Sequence, residues 1–439
     1  MKKTVTILFI YIISSVQYSF SQSWLSMASG LGNSSESIKA IAEDPVTHEI
    51  YAGGTFQSGS IKYIAKWNGT NWESVGTGVN GPVYALAFKN QELYVGGAFS
   101  TAGGLTVSNL AKWSGGVWSD VGGGFNDQVN CIYVSSSSGV VHAGGKFSLS
   151  GANPMNHVSK LVSGTWTQLG TGIGAVVNAL AEYNGSLYAG SESLSGPVHK
   201  FDGSIWSVVS GLASGKVFAL ASFAGYLYAG GDFSSPTFAA AKYNGTSWGT
   251  IQTTFSSSDK IYALSPRFST VLYIAGKFTN LGIPGKEASY IARINSPTTP
   301  IQSITTTSST ISSEVYAIGN QSGKVVAGGK FATPATNIAI TSTTIGIDEV
   351  NKVVDSKFFP NPVRETATLI VTTSEKLNNA EIKVYDLQSR LIENIPSEKQ
   401  SNGKTVEFSI DCTGLSRGVY YYQIIEDSIN ILSDQFIVE

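Results

Sequence analysis

Leu93-Tyr94-Val95-Gly96-Gly97-Ala98-Phe99 reads as a β-strand whose apolar residues give way to two glycines before an aromatic. A strand ending in glycines leaves room for another backbone or side chain to approach closely. The design recurs along the chain, with its last small residue at Gly54, Gly97, Gly145, Ser191, Gly231, Gly276 and Gly329. The intervals are 43, 48, 46, 40, 45 and 53 residues, enough for a unit of about four short strands. Before each copy stands a hydrophobic-x-small-hydrophobic strand: Ile38–Ile41, Val83–Leu86, Val129–Ile132, Val177–Leu180, Val217–Leu220, Ile261–Leu264 and Val315–Ile318.

Two further elements complete the unit. A small-basic-aromatic pattern occurs as Ala65-Lys66-Trp67, Ala111-Lys112-Trp113, Ser159-Lys160-Leu161, His199-Lys200-Phe201, Ala241-Lys242-Tyr243 and Ala292-Arg293-Ile294, with a weaker copy near Ile338–Ile340. Asn68-Gly69, Asp202-Gly203 and Asn244-Gly245 follow three of these and predict tight hairpins with positive φ angles. A fourth strand opens on Trp72, Trp118, Trp166, Trp206 or Trp248, and Ile301–Ile304 is a version without Trp. The last unit lacks a fourth strand, whereas Trp24-Leu25-Ser26-Met27 is a fourth strand with no unit before it. Joining the two gives seven of each strand and closes a ring, and an open array would leave edge strands uncovered. The expected fold class is all-β: a seven-bladed β-propeller closed by an N-terminal strand over residues 23–345, then a small C-terminal β-sandwich. The hydrophobic-Gly-Gly strand, with an aromatic and then Trp five residues later (Trp67 and Trp72, Tyr243 and Trp248), resembles the kelch-like propeller repeat over residues 24–342. It departs at Ser191 and in the Trp-less sixth and seventh units. The resemblance implies a scaffold used for binding and, less often, for catalysis.

Composition changes near residue 346. Residues 347–439 hold 15 of the 30 acids but only 9 of the 28 bases. A linker is expected over 346–356, followed by strands at Ala367–Thr372, Glu381–Asp386, Thr405–Ile410, Gly418–Ile425 and Asp434–Val438, whose alternation suits a half-buried sandwich. Phe359-Pro360-Asn361-Pro362, Val384-Tyr385-Asp386-Leu387 and Gly414-Leu415-Ser416-Arg417-Gly418-Val419-Tyr420 resemble, in order and spacing, the C-terminal sorting domain of the type IX secretion system of Bacteroidetes-type bacteria. Ser389 stands where Gly is common, and the chain ends on Glu439 where a basic residue is usual. The resemblance implies that residues 357–439 engage the type IX secretion machinery and are then removed, leaving a protein released or attached at the cell surface.

Residues 1–22 fit a signal peptide: Lys2 and Lys3 precede the apolar Val5–Ile13, and small residues near Ser21 suit cleavage. A secreted or outer-membrane-attached protein without a transmembrane segment is therefore expected. The net charge of −2 offers no field for nucleic acid, and two cysteines make neither a disulfide framework nor a four-Cys zinc site. The expected state is a monomer without cofactor or metal.

No catalytic set stands out, so a non-enzymatic protein is expected. His142 and His199 replace residues of the repeat, and Cys131 occupies a small buried slot of an inner strand. Glycoside hydrolysis would need a pair of facing carboxylates, such as Glu182 and Glu314, but nothing in the sequence selects that pair. The recurrent Lys66, Lys112, Lys160, Lys200, Lys242 and Arg293 suit solvated or salt-bridged positions better than an anion-binding ring, and the fourth-strand Trp residues suit packing. Loop length varies most at Ser100–Asn109, Ser148–His157 and Thr279–Tyr290, on the face shared with the links between blades, and loops on a rigid scaffold commonly carry function. That face nominates Asn109, Asn156, His157, Lys286, Glu287 and Tyr290, with Asn126 and Asp127 from a neighbouring link, as a neutral, amide-rich surface for a glycan or protein ligand. An adhesin-like binding protein is the leading expectation. A polysaccharide lyase or hydrolase and a structural surface-layer component are the alternatives.

Overall fold

In the computed structural model the described residues are 23–341 and 353–439, less 214, 252–254, 268–270, 280, 282–289, 298–300, 305–310, 322, 374–379, 387–389, 397–398, 402–404 and 427–428. The 1–22 segment, Lys286, Glu287, Leu387, Ser389 and most of the expected linker lie outside them.

The described structure is all-β. Ile38–Glu43, Ile50–Ser58, Ile61–Trp67 and Trp72–Ser74 pair in sequence order as a four-stranded antiparallel sheet, and five more sheets follow the same plan. A seventh comprises Val315–Gln321, Lys324–Gly329 and Ile338–Thr341, completed by Trp24–Ser26 with Trp24 opposite Thr341 and Ser26 opposite Ala339. The strand left over at the start thus joins the sheet left incomplete at the end. The first strands of the sheets are Ile38–Glu43, Val83–Lys89, Val129–Val134, Val177–Tyr183, Val217–Phe223, Lys260–Arg267 and Val315–Gln321; each lies against the next, and the seventh lies against the first.

The glycine pair explains this neighbour relation. A Cβ on the first glycine would strike the leading Val or Ile of the following sheet: Gly53 meets Val83, Gly96 meets Val129, Gly144 meets Val177, and Gly328 meets Ile38 across the closure. A Cβ on the second glycine would strike the carbonyl just before its own sheet's first strand, as Gly97 does Pro82 and Gly329 does Glu314. The first glycine therefore sets the approach of neighbouring sheets and the second admits a bulge. In all seven first strands the register slips between the leading Val or Ile and the residue two further on, so the intervening x residue is the extra one of a β-bulge.

The Asn-Gly hairpins differ from expectation. Trp67 pairs directly with Trp72, so Asn68–Asn71 is a four-residue connection. Gly69 takes φ +99°, while Asn68 instead turns its Oδ1 to accept from the Thr70 and Asn71 amides. Asp202 and Asn244 do the same for residues 204–205 and 246–247. The side-chain acceptor makes an Asx turn, which substitutes for positive φ at the first position. Two-residue turns with both angles positive occur instead at Gly115-Gly116 and Ser163-Gly164.

The tail forms two four-stranded sheets around its own core. One orders Val353–Phe359, Thr366–Thr373, Thr405–Asp411 and Lys399–Ser401; the other orders Leu391–Pro396, Ala380–Tyr385, Gly418–Glu426 and Ile429–Val438. Leu369, Ile382, Val384, Phe408, Tyr422 and Phe436 are buried between them. The first strand begins at Val353, inside the stretch expected as linker; as an edge strand it needs only one partner, and its Asp355-Ser356-Lys357 made it look like a connection. The three tail motifs act as local locks. Asn361 Oδ1 accepts from the Ile437 amide at 2.9 Å, Asp386 holds Arg390 at 2.6 Å, and the Tyr420 hydroxyl donates to the Ser416 carbonyl at 2.9 Å.

Candidate functional site

The links between sheets and the loops after the second strands share one face, joined by side chains. Asn80 Oδ1 accepts from the Ser100 and Thr101 amides, and Asn126 Oδ1 from the Ser148 and Leu149 amides, all at 2.9 Å. Asn109 donates its side-chain amide to the Phe125 carbonyl, and Asn156 to that of Thr171, also at 2.9 Å; His157 Nδ1 lies 2.7 Å from the Ile173 carbonyl. Asn109, Asn126 and Asp127 therefore come together, with Asn156 and His157 continuing the strip one sheet further. Tyr290 stands apart, in the sixth sheet. Asn109, His157 and Tyr290 share a second feature: each takes positive φ (63°, 70° and 68°) and accepts the amide of the second glycine (Gly97, Gly145, Gly276) on its carbonyl. Ala239 and Asn337 occupy the same joint in their sheets. Most of these polar groups hold the face together; Asp127 is exposed, its Oδ1 turned to the neighbouring Gln128 amide.

Sequence reasoning passed over the x residue of hydrophobic-x-small-hydrophobic. The seven are Lys39, Tyr84, Asn130, Asn178, Phe218, Tyr262 and Tyr316, every one half-buried and each preceded by a buried Val or Ile. Because the first strands encircle the centre, the bulged side chains meet one another around it. Phe218 and Tyr262 rings lie 5.6 Å apart, Tyr262 and Tyr316 4.9 Å, and Lys39 Nζ sits 3.4 Å from the Tyr316 ring centroid. On the other side Asn130 donates to Asn178 Oδ1 at 2.9 Å. Phe218, Tyr262 and Tyr316 make a continuous aromatic arc, while Tyr84 stands among the polar residues, between Lys39 and Asn130 in ring order. Burial lowers the Lys39 ammonium from its ordinary value to about 8, against a raising contribution from Glu314 and a further lowering one from Lys330. Burial likewise lifts the Tyr262 phenol to about 12.

Immediately outside this ring lie the residue before each leading Val or Ile and the residue after each pair of small residues, joined by a backbone hydrogen bond in six of the sheets and directly across the ladder in the sixth sheet. They are Ser37 with Thr55, Pro82 with Ala98, Gln128 with Lys146, Val176 with Glu192, Lys216 with Asp232, Lys260 with Lys277, and Glu314 with Lys330. Ion pairs run from one sheet to the next: Glu192 to Lys216 at 2.6 Å, Asp232 to Lys260 at 3.5 Å and Lys277 to Glu314 at 3.4 Å. The Tyr316 hydroxyl bonds Glu314.

Other sequence candidates fall elsewhere. Glu314 precedes its first strand, while Glu182 is the sixth residue of the equivalent strand Val177–Tyr183, so the two stand at opposite ends, roughly 15–20 Å apart along a strand. Glu182 is instead held by Ser135 and Ser137 at 2.5 and 3.1 Å. His142 is buried, and desolvation lowers its pKa, as it does that of His199. Burial raises the Cys131 thiol to about 12, which leaves it a packing residue. The recurrent bases are locally engaged: Lys66 with Glu49 at 2.9 Å, Lys112 with Glu92 at 2.6 Å, Lys242 with the Pro297 carbonyl. The fourth-strand indoles staple sheet to sheet. Trp72, Trp118, Trp166 and Trp206 donate to the carbonyls of Met27, Val75, Val121 and Leu169 in the sheet before, at 2.9–3.2 Å. Among the described residues no group of three His, Cys, Asp or Glu is placed to hold a metal, and no helix is long and apolar enough to cross a membrane.

No curated protein matches the chain. Among solved structures, the computationally designed Ika8 protein is 16% identical, covering 73% of this chain and 99% of its own, with a TM-score of 0.45. A structure of BBS1N in complex with ARL6DN is 11% identical over 73% of this chain and 97% of its own, TM-score 0.45, and apo AztD from Citrobacter koseri 11% over 89% and 98%, TM-score 0.32. At these scores the likenesses add nothing to what the sheet order itself gives. The tail is different: residues 357–439 match the secretion system C-terminal sorting domain, which marks this chain for export by the type IX secretion system to the cell surface or beyond.

Proposed function

We propose that residues 24–341 form a kelch-like seven-bladed propeller that works outside the cell as a non-enzymatic binding module for a glycan or a protein. The sorting domain supports the destination, and the apolar Val5–Ile13 behind Lys2 and Lys3 fits a signal peptide for the first membrane crossing. The observation that carries the binding reading is the bulged ring. Its flanking positions repeat as Val or Ile and as a small residue, yet the x position itself holds Lys, Tyr, Asn, Asn, Phe, Tyr and Tyr. A position that served only to build the ring would repeat as its neighbours do. Clustered aromatic side chains with a few polar groups beside them are also the usual lining of a ligand site.

The test is a glycan array, with an overlay on outer-membrane proteins, probed with the purified full chain. Saturable binding that Phe218→Ala with Tyr262→Ala abolishes, without loss of the folded far-UV spectrum, is the expected result. Release of soluble sugar from a polymer would overturn the non-enzymatic reading, and no saturable partner on either surface would overturn binding itself.

A further inference from the structure

Charge is unevenly spread over the ring of sheets. Residues 23–341 carry 17 bases and 15 acids. Six of those bases gather at the channel mouth, Lys39 in the bulged ring and Lys146, Lys216, Lys260, Lys277 and Lys330 just outside it, against three acids, Glu192, Asp232 and Glu314. Each acid is engaged by a lysine of the adjoining sheet, which accounts for Lys216, Lys260 and Lys277. Lys39, Lys146 and Lys330 have no carboxylate within ion-pair distance among the described residues, so these positions together hold three more bases than acids, with Glu36, Asp127 and Asp259 one residue further out. Lys39 and Lys330 come from adjoining sheets, the first and the seventh, and Lys39 also feels the carboxylate of Glu314, which Lys277 engages. Lys330 is exposed and Lys39 lies over the Tyr316 ring, at the end of the arc Phe218–Tyr262–Tyr316.

Two unlike chemistries therefore meet at one spot. Ammonium groups without an ion pair, Lys39 half-buried over a ring and Lys330 exposed, favour a carboxylate. Rings lining the channel favour the apolar C–H face of a sugar, which needs flat apolar surface beside hydrogen-bonding groups. We propose that the channel mouth binds a carboxylate-bearing saccharide, its acid group on Lys39 and Lys330 and its sugar ring against the Phe218–Tyr262 arc. This rests on the extracellular binding reading and sharpens it: the ligand is an acidic glycan and its site is the channel, not the amide-rich strip around Asn126.

The experiment is calorimetric titration of the full chain with tetragalacturonate, its fully methyl-esterified form, and citrate. The acid tetramer should bind saturably and at least tenfold more tightly than the ester, weakening as salt rises. Lys330→Gln, an exposed change, and Lys39→Gln should each lower affinity several-fold, and Lys112→Gln on an outer strand should not. Equal affinity for acid and ester, or unchanged binding by both channel variants, would overturn the inference. So would citrate binding as well as the tetramer, which would reduce the mouth to a simple anion site. If neutral glycans bind independently of Lys39 and Lys330, the inference falls and the binding reading stands.

Discussion

The outer and inner edges of the ring solve different problems with the same strands. At the outer edge four indoles make one bond to the preceding sheet within a spread of 2.9–3.2 Å, each against a partner aromatic or apolar residue of its own sheet. At the inner edge the bulge repeats in all seven sheets but the side chain it projects does not. The repeated indole bond at one edge links four sheets to the one before, and dissimilar chemistry at the other sets an aromatic arc beside polar side chains. Substitutions at the outer edge should therefore cost stability, and those at the inner edge should cost binding.

The strongest challenge to that division is Trp166→Ala. Its side chain is buried, stacks near Phe125 at 4.7 Å and bonds Val121 at 2.9 Å. The variant should lose about 3–5 kcal/mol in chemical denaturation. Trp248 sharpens the point, because its indole nitrogen is buried with no partner among the described residues. Trp166→Phe forfeits a made bond, whereas Trp248→Phe removes an unmet donor, so the second should be the milder by about 1 kcal/mol. Equal losses would mean that the staple contributes only its bulk.

The second glycine offers a comparison of sheet with sheet. A Cβ at Gly145 would run into the Gln128 carbonyl, a backbone atom that cannot move without disturbing the bulge. Ser191 occupies the same place in the fourth sheet, its hydroxyl bonded to the Pro197 carbonyl at 3.3 Å. Gly145→Ser should cost about 2–3 kcal/mol, and Ser191→Gly less than about 1. Matched thermal melts would decide it, and a tolerated Gly145→Ser would show that the bulge is not what the glycine protects.

The scaffold was legible because each of its devices needs a particular residue type: glycine where sheets meet, Trp where an outer strand starts, an orphan strand where the ring must close. The Trp24–Met27 segment even exposed the closure, since a ring cannot leave one sheet a strand short. The channel was not legible for a related reason. A bulge adds one residue without any required type, so Lys39 and Tyr316 look like ordinary outward positions of an alternating strand. The loop residues carry a signal with two readings. Asn109 and Asn126 are amides in long surface loops, but polar loop residues also serve to satisfy loop backbone, and here that is where their bonds go.

At the inner edge, Lys39 makes a pH signature. Its pKa is about 8 in the fold against 10.5 in the unfolded chain, because burial penalises the charged form. Between those values the unfolded state binds the extra proton, so stability from this group rises as pH climbs from about 8 toward 10.5, and its penalty is complete below 8. Lys39→Met should remove that slope and be the more stable protein at pH 7, by on the order of 1–2 kcal/mol after screening. Denaturant midpoints of both proteins from pH 7 to 10 would reveal it, and parallel curves would place Lys39 in open water.

The smallest effect belongs to the outer lysines, and it completes the contrast. Lys112 bonds Glu92 at 2.6 Å on a third strand, with both side chains about a quarter to a third exposed. Water competes for both charges there, and holding two long side chains in one geometry carries its own entropy cost. Lys112→Gln should therefore change the unfolding free energy by less than about 1 kcal/mol, and the difference should shrink in 0.5 M salt. The same substitution at Lys330, more exposed and with no carboxylate to lose, should be at least as mild for stability. If Lys112→Gln proved costlier than Trp248→Phe, the recurrent bases would be part of what sets the sheet spacing, and the division between a building edge and a recognising edge would have to move outward by one strand.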